Sequence, residues 1–280
     1  MTTTLRPTGP TQQSADGARS RTYDVCDNGR PVGTVTLATD PAFGPAAGVL
    51  DALRIDEHRR RRGRAIIASL AAEEVLRAWG CVEVRAEVPA GNEPALRLAA
   101  VLGYTERGRN MDKATPARAA ALPPGLVGRP MTAREFTPWL ADRHEEYARE
   151  WARRGVPEEL ARHKSATDHA RLLPLGLATP GTSIDVLVRE EDGRAVGHVW
   201  LAGRPTGTGG TAGHVYYVEV DPEFRGRGYG RALMGLAEDM ARGAGFDRIS
   251  LHVFTSNTPA RALYASLGYE PTSHTLVKPL

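Results

Sequence analysis

Apolar positions recur every three to four residues from 134 to 154 and again from 157 to 172, the spacing that places them on one face of a helix. Two consecutive helices are expected there, the second opening at Pro157, where a first-turn proline forgoes no hydrogen bond. The period then drops to two. Alternating, β-branched-rich runs at 183–189 and 195–201, separated by Asp192-Gly193, predict an antiparallel hairpin, and 214–220 predicts a third strand. A glycine-rich turn at 225–230 opens into a helix that stops near the glycines at 243–245. Strand 249–254, helix 258–267 and strand 275–278 complete the reading. The order β, α, α, β, β, β, α, β, α, β predicts an α/β fold with a mixed sheet.

The same pattern occurs twice. At an offset of 165, Asn92-Glu93-Pro94-Ala95 falls on Asn257-Thr258-Pro259-Ala260, Leu102-Gly103-Tyr104 on Leu267-Gly268-Tyr269, and Lys113 on Lys278. Of the 58 positions from 56 to 113, 18 are identical to their counterparts without a gap. Further upstream, Gly29-Arg30-Pro31-Val32-Gly33 matches Gly193-Arg194-Ala195-Val196-Gly197 at an offset of 164. Two copies of one fold account for this. The first copy has too few residues before its hairpin for a first strand and two helices, so it reads as a shortened domain over 21–115. Residues 1–20 are polar and aperiodic and read as a disordered tail. Residues 116–130, broken by Pro123-Pro124-Gly125, read as a linker, and the full-length copy occupies 131–280.

Composition adds only boundaries. With 41% hydrophobic and 25% charged residues the chain is ordinary for a globular protein, and its length suits two cores. The net charge of +3 is too small to argue for nucleic acid. Cys26 and Cys81 have neither CxxC spacing nor a histidine cluster, so no metal is expected. No apolar run approaches the ~20 residues of a membrane helix and no signal-peptide core opens the chain, so the expectation is a cytoplasmic protein without a membrane partner. Oligomeric state is not legible.

The chemistry concentrates between residues 218 and 231. Glycines in Arg225-Gly226-Arg227-Gly228-Tyr229-Gly230-Arg231 let the backbone approach an anion, a helix N-terminus follows, and three arginines add charge, a combination suited to a pyrophosphate. A dinucleotide-binding turn would need a different glycine spacing after a first parallel strand. Arg225-x-x-Gly228-x-Gly230 resembles the (Gln/Arg)-x-x-Gly-x-(Gly/Ala) signature of the GNAT acetyltransferases. Asn257 through Tyr264, closing on Leu267-Gly268-Tyr269, is similar to that family's downstream segment.

The resemblance implies two GNAT-like domains, acetyl-CoA as co-substrate, and direct transfer of the acetyl group to the amine of a small molecule or peptide. It implies that the strands ending at Val220 and Phe254 diverge, with main-chain groups of Val218 and Val220 binding the pantetheine. Residues Arg225, Gly226, Arg227, Gly228, Tyr229, Gly230 and Arg231 would bind the pyrophosphate, and Asn257 would orient the cofactor. Tyr264 matches the general acid that protonates the departing thiolate, and a backbone N–H of the diverging strand would stabilise the developing oxyanion. Glu219 is the candidate general base, with Tyr217, His214 and a water relay as competitors. His252 reads as structural, and Trp139, Tyr147 and Trp151 as helix packing, with Tyr147 and Glu146 also placed to border an acceptor.

The first copy keeps Arg60-x-x-Gly63-x-Ala65 and Asn92 but has Ala99 where the second has Tyr264, and a methyl group donates no proton. It is therefore expected to be inactive. Its run Arg59-Arg60-Arg61-Arg62, with Arg64, is a solvated cationic face, a phosphate-binding remnant or a nucleic-acid patch. Against the enzyme stands the alternative of a non-catalytic acyl-CoA-sensing or interaction module.

Overall fold

A computed structural model of the chain describes residues 3–14, 17–40, 46–118, 121–153, 156–206 and 209–280. In chain order its elements begin with strands β1 (Thr3–Pro7), β2 (Gln12–Gln13), β3 (Arg19–Asp27), β4 (Arg30–Thr39) and β5 (Ala47–Ile55). Helix α1 (Arg64–Ala78), β6 (Glu83–Pro89), α2 (Glu93–Val101) and β7 (Thr105–Ala114) follow. The second repeat supplies β8 (Leu126–Pro130), α3 (Ala133–Arg153), α4 (Glu158–Leu172), β9 (Thr182–Arg189), β10 (Ala195–Pro205) and β11 (Thr211–Val220). It ends with α5 (Tyr229–Gly243), β12 (Arg248–Phe254), α6 (Thr258–Ser266) and β13 (Glu270–Pro279). None of the described helices is long and apolar enough to cross a membrane.

The chain divides into two compact units whose boundary ignores the order of the repeats. One comprises Met1–Arg109 with Thr272–Leu280, the other Asn110–Pro271. In the first unit the ladder runs β1, β3, β4, β5, β6 and then β13, which pairs antiparallel with β6 from Ser273↔Pro89 to Pro279↔Glu83. In the second it runs β8, β9, β10, β11, β12 and then the distal half of β7. Each unit is thus completed by the terminal strand of the other repeat. Met111 of the first repeat is buried in the second unit's core, and its counterpart Leu276 is buried in the first unit's core.

Two side chains on those strands explain the exchange. Glu238 is buried on the core-facing side of α5 among Ala237, Ala241 and Leu233, and Glu73 holds the same place on α1. A carboxylate in such surroundings needs a cation. Lys113 lies 2.6 Å from Glu238, and Lys278 donates to Glu73 at 2.6 Å. Each ammonium also stands over an aromatic ring, Lys113 over Tyr269 at 5.0 Å and Lys278 over Tyr104 at 5.7 Å. The arrangement is the same in both units, and in each the cation comes from the other repeat.

Three sequence expectations need correction. Within the supposed tail, β1 pairs with β3 from Thr3↔Asp27 to Pro7↔Tyr23, and β2 adds two further pairs. Only Leu5 of β1 packs on the core, so the strand carries almost no apolar period although its backbone is held by a ladder. The first unit therefore has a first strand, and among the described residues it lacks only the pair of early helices. Within the supposed linker, β8 pairs with β9 from Leu126↔Arg189 to Pro130↔Asp185. It shows a single buried side chain, Leu126. Pro157 is the N-cap of α4 rather than its first helical residue.

In the second unit, alternation along β9 and β10 sends Leu187, Val196, Val199 and Leu201 to a core under α5 and α6. Their neighbours Val186, Val188 and Trp200 go to a core under α3, which packs on α4. Residues 131–280 alone lack both β7 and β8, leaving β12 without its flanking strand and Glu238 without its cation. That fragment is expected to show no cooperative thermal transition by circular dichroism. In the full chain, Lys113→Met and Glu238→Gln are each expected to lower the urea-unfolding free energy by about 3 kcal/mol, and the double variant by distinctly less than their sum.

Candidate active site

The second unit's ladder opens where a β-bulge turns β11. Trp200 faces Tyr217 and the next residue, Leu201, faces Val215, which leaves Tyr216 as an extra residue. Parallel pairing of β11 with β12 runs from Gly213↔Ile249 to Val215↔Leu251 and ends at the bulge. Beyond it the two strands diverge. The Asp221 N–H donates to the Val196 carbonyl at 3.0 Å, so antiparallel alternation turns the main-chain groups of Val218 and Val220 away from β10, into the opening.

At the mouth of the opening lies the glycine turn. Gly226 and Gly228 adopt φ of +78° and +81°, conformations that cost a side chain of L configuration, and a Cβ at either would have no neighbour within 4 Å. Gly228 is the N-cap of α5. Among the described residues, the N–H groups of residues 226–230 have no protein acceptor, and they gather at a helix N-terminus. Free donors, open space and the positive end of the helix form a cradle that fits a diphosphate.

The side chains around this cradle are more committed than the sequence suggested. Arg225 folds back, its Nε donating to the Val220 carbonyl at 3.1 Å, and Arg60 of the first unit does the same to Ile55 at 2.8 Å. This arginine clamps the turn to the strand end in both units. Arg231 donates to Ser266 at 2.6 Å, and Arg227 lies over the ring of Phe224, beside which Tyr229 also packs. A Cβ at Gly230 would stand 3.2 Å from Leu263, so this glycine serves the close approach of α5 and α6. Asn257 is the N-cap of α6, its Oδ1 accepting from the Ala260 N–H at 3.2 Å, and Asn92 caps α2 in the same way.

Tyr264 sits on α6, 6% exposed, with its ring 6.0 Å from that of Tyr269. Burial pushes its phenol up to about 12, which keeps it protonated at neutral pH. Glu219 faces the α3 side of β11 within a charged cluster. Its Oε2 accepts from the Tyr217 hydroxyl at 2.7 Å, and that hydroxyl also lies 3.0 Å from Glu146 on α3. Arg143 is 3.5 Å from Glu219, pairs with Glu146 and stands 4.1 Å over the Tyr217 ring, while Arg225 approaches Glu219 at 3.5 Å from the turn.

His198, directly across the ladder from Glu219, stacks on Tyr217 at 5.3 Å, and its Nε2 lies 3.9 Å from the Glu219 carboxylate. Burial, reinforced by Arg143, drives it down to about 4, so it is neutral at pH 7. Sequence reasoning named neither Arg143 nor His198. Arg143 is marked only by its place on the Trp139–Tyr147 face of α3, and His198 by its position opposite Glu219 in a hairpin register that the bulge shifts.

The remaining candidates have structural partners. His214 bonds Ser250 at 2.9 Å before the bulge, and burial drives it down to about 3. Tyr147 donates to Asp168 at 2.7 Å and ties α3 to α4, and Trp139 and Trp151 are buried. His252 lies 3.2 Å from Asn110.

The first unit repeats the opening in the same register, from Ala47↔Glu83 to Val49↔Arg85, and repeats the glycine cap with Gly63 at φ +72°. Its side chains differ. Ala99 replaces Tyr264, and the position matching Glu219 is an exposed arginine, Arg54. Of the arginine run, Arg60 clamps the turn and Arg64 is buried against Asp27, so two of its charges serve the fold.

Comparison with known proteins agrees with this geometry. The model of the acetyltransferase (GNAT) family matches residues 3–104 and again 138–269. The mycothiol acetyltransferase of Thermomonospora curvata is 30% identical over 261 residues, covering 90% of this chain and 79% of that protein. Among solved structures, a GCN5-related N-acetyltransferase from Sphaerobacter thermophilus superposes with a TM-score of 0.58 at 20% identity over 92% of this chain and 80% of its own. A tandem GNAT protein from the clavulanic acid biosynthesis pathway gives 0.51 at 20% identity, over 93% and 82%. These two share the fold.

The neutral His198 makes stability depend on pH. Its folded pKa of about 4 lies below the ordinary 6.5, so its contribution is complete above 6.5 and is lost as pH falls toward 4. Between pH 7 and 4.5 the His198→Gln variant is expected to lose roughly 2 to 3 kcal/mol less unfolding free energy than the parent protein, measured by urea denaturation at both pH values.

Proposed function

Because the chain belongs to the acetyltransferase (GNAT) family, we propose that its second unit binds acetyl-CoA and transfers the acetyl group to a primary amine of a small-molecule or peptide acceptor. One observation carries the reading. Both units open their ladder and cap a helix with a left-handed glycine, but among the described residues the second has a buried, protonated tyrosine, Tyr264, where the first has Ala99, and a carboxylate, Glu219, where the first has Arg54.

Acetyl-CoA supplies an acyl group already activated as a thioester. The N–H groups of residues 226–230 would hold its pyrophosphate, and the main-chain groups of Val218 with the Val220 N–H its pantetheine amides. The Val220 carbonyl is already engaged by Arg225. Arg225 therefore serves by shaping the turn, and Asn257 by fixing the start of α6.

Glu219 accepts the proton that an ammonium must lose before it can attack, while Arg143, Arg225 and the Tyr217 hydroxyl hold the carboxylate in place. The amine attacks directly without an acyl-enzyme, Tyr264 donates its phenolic proton to the departing sulfur, and the second proton shed by the nitrogen restores the phenol. The acceptor side is bordered by Tyr217, His198 and Glu146. Because relatives are named mycothiol acetyltransferase, amines related to mycothiol are the acceptors to try first.

Titration calorimetry is expected to give acetyl-CoA binding to the parent protein and to Gly63→Trp, and none to Gly228→Trp. Tyr264→Phe and Glu219→Gln should retain binding while thiol release with a productive amine falls about 100-fold or more. Absence of acetyl-CoA binding in the parent protein would overturn the enzyme and its donor site together.

A further inference from the structure

Lys113 belongs to the first repeat, yet it touches the element that carries the second unit's acid. Its Nζ donates to the Leu267 carbonyl at 2.9 Å, and Leu267 is the C-cap of α6. The same ammonium is 2.6 Å from Glu238 on α5 and 5.0 Å from the ring centre of Tyr269. Tyr269 in turn closes on α6, its N–H donating to the Tyr264 carbonyl at 3.0 Å and its ring packing on that of Tyr264. A nine-residue helix has few internal hydrogen bonds, so its ends decide how firmly it is held. Asn257 fixes the start of α6. A cation on an end carbonyl fixes its finish, where the helix dipole favours positive charge.

The first unit provides the control. Lys278 neutralises Glu73 and stands over Tyr104, but among the described residues it makes no bond to the carbonyl of Leu102, the C-cap of α2. That helix carries Ala99 and has no hydroxyl to aim. The charge pairing recurs in both units, while the tie to the helix end is made where the tyrosine is.

We propose that Lys113 is a positioning residue of the acyl-transfer site, holding the end of α6 and thereby the Tyr264 hydroxyl, and that the first repeat supplies the second unit with part of its active-site support. The inference rests on the reading of Tyr264 given above.

The test uses full-length protein with 13Cζ-labelled tyrosine, the Tyr264 signal being identified by its loss in Tyr264→Phe. Lys113→Met is paired with Lys113→Met/Glu238→Gln, which removes both buried charges and keeps the comparison open if the single variant unfolds. In the parent protein and in Lys278→Met, acetyl-CoA should shift the Tyr264 signal. In the double variant the shift should be lost, amide exchange in α6 should accelerate about tenfold or more, and acetyl-CoA affinity should stay within about threefold. Lys113→Arg should restore the shift. A double variant with a parental shift and parental α6 exchange would overturn the proposal, as would equal loss in Lys278→Met. Absence of acetyl-CoA binding in the parent protein would instead remove the donor-site reading, and the proposal with it.

Discussion

A buried carboxylate on the central helix of each unit is the constraint from which the rest of the architecture follows. Glu73 and Glu238 lie among apolar side chains, where an uncompensated charge costs several kcal/mol. Neither repeat neutralises its own. Lys278 answers Glu73 and Lys113 answers Glu238, so each helix packs fully on its sheet only when the other repeat delivers its last strand. Met111 and Leu276, two residues before those lysines, enter the same two cores by the same exchange. In a chain built this way each unit takes its last strand from the other repeat.

On that frame the site needs little besides a broken ladder. The bulge at Tyr216 ends the pairing of β11 with β12 and exposes main-chain groups that a continuous sheet would consume. Two left-handed glycines gather N–H groups at the start of α5, and Arg225 pins the turn that carries them. These features are chemically generic, and the first unit has their counterparts. What differs is a handful of side chains. Tyr264 against Ala99 and Glu219 against Arg54 are the differences on which the proposed division of labour between the units rests.

Much of the fold was legible because the second repeat alternates and periodically buries its residues over long stretches. The helices, the hairpin and the glycine turn fell where the pattern put them. The edge strands were not legible. β1 packs one half-buried leucine on its core and β8 buries one, and a strand held mainly by its backbone leaves no period to read. At the site, the sequence pointed to Tyr264, Glu219 and the glycine turn, and the structure adds that the Arg225 side chain clamps a strand end and that Gly230 also admits Leu263. Arg143 and His198 went unnoticed because their significance lies in what faces them across a helix contact and a bulged register.

By itself the sequence determined that one fold occurs twice, that both copies carry a glycine-capped helix, and that only one retains a tyrosine at the matching place. Those are properties of residues and their spacing along one copy. Tertiary structure decided which lysine neutralises which glutamate, which strand completes which sheet, and which arginines the fold itself engages. The reason is physical: each of these depends on distances between residues far apart in the chain, and the exchange of terminal strands leaves every local propensity unchanged while swapping the partners.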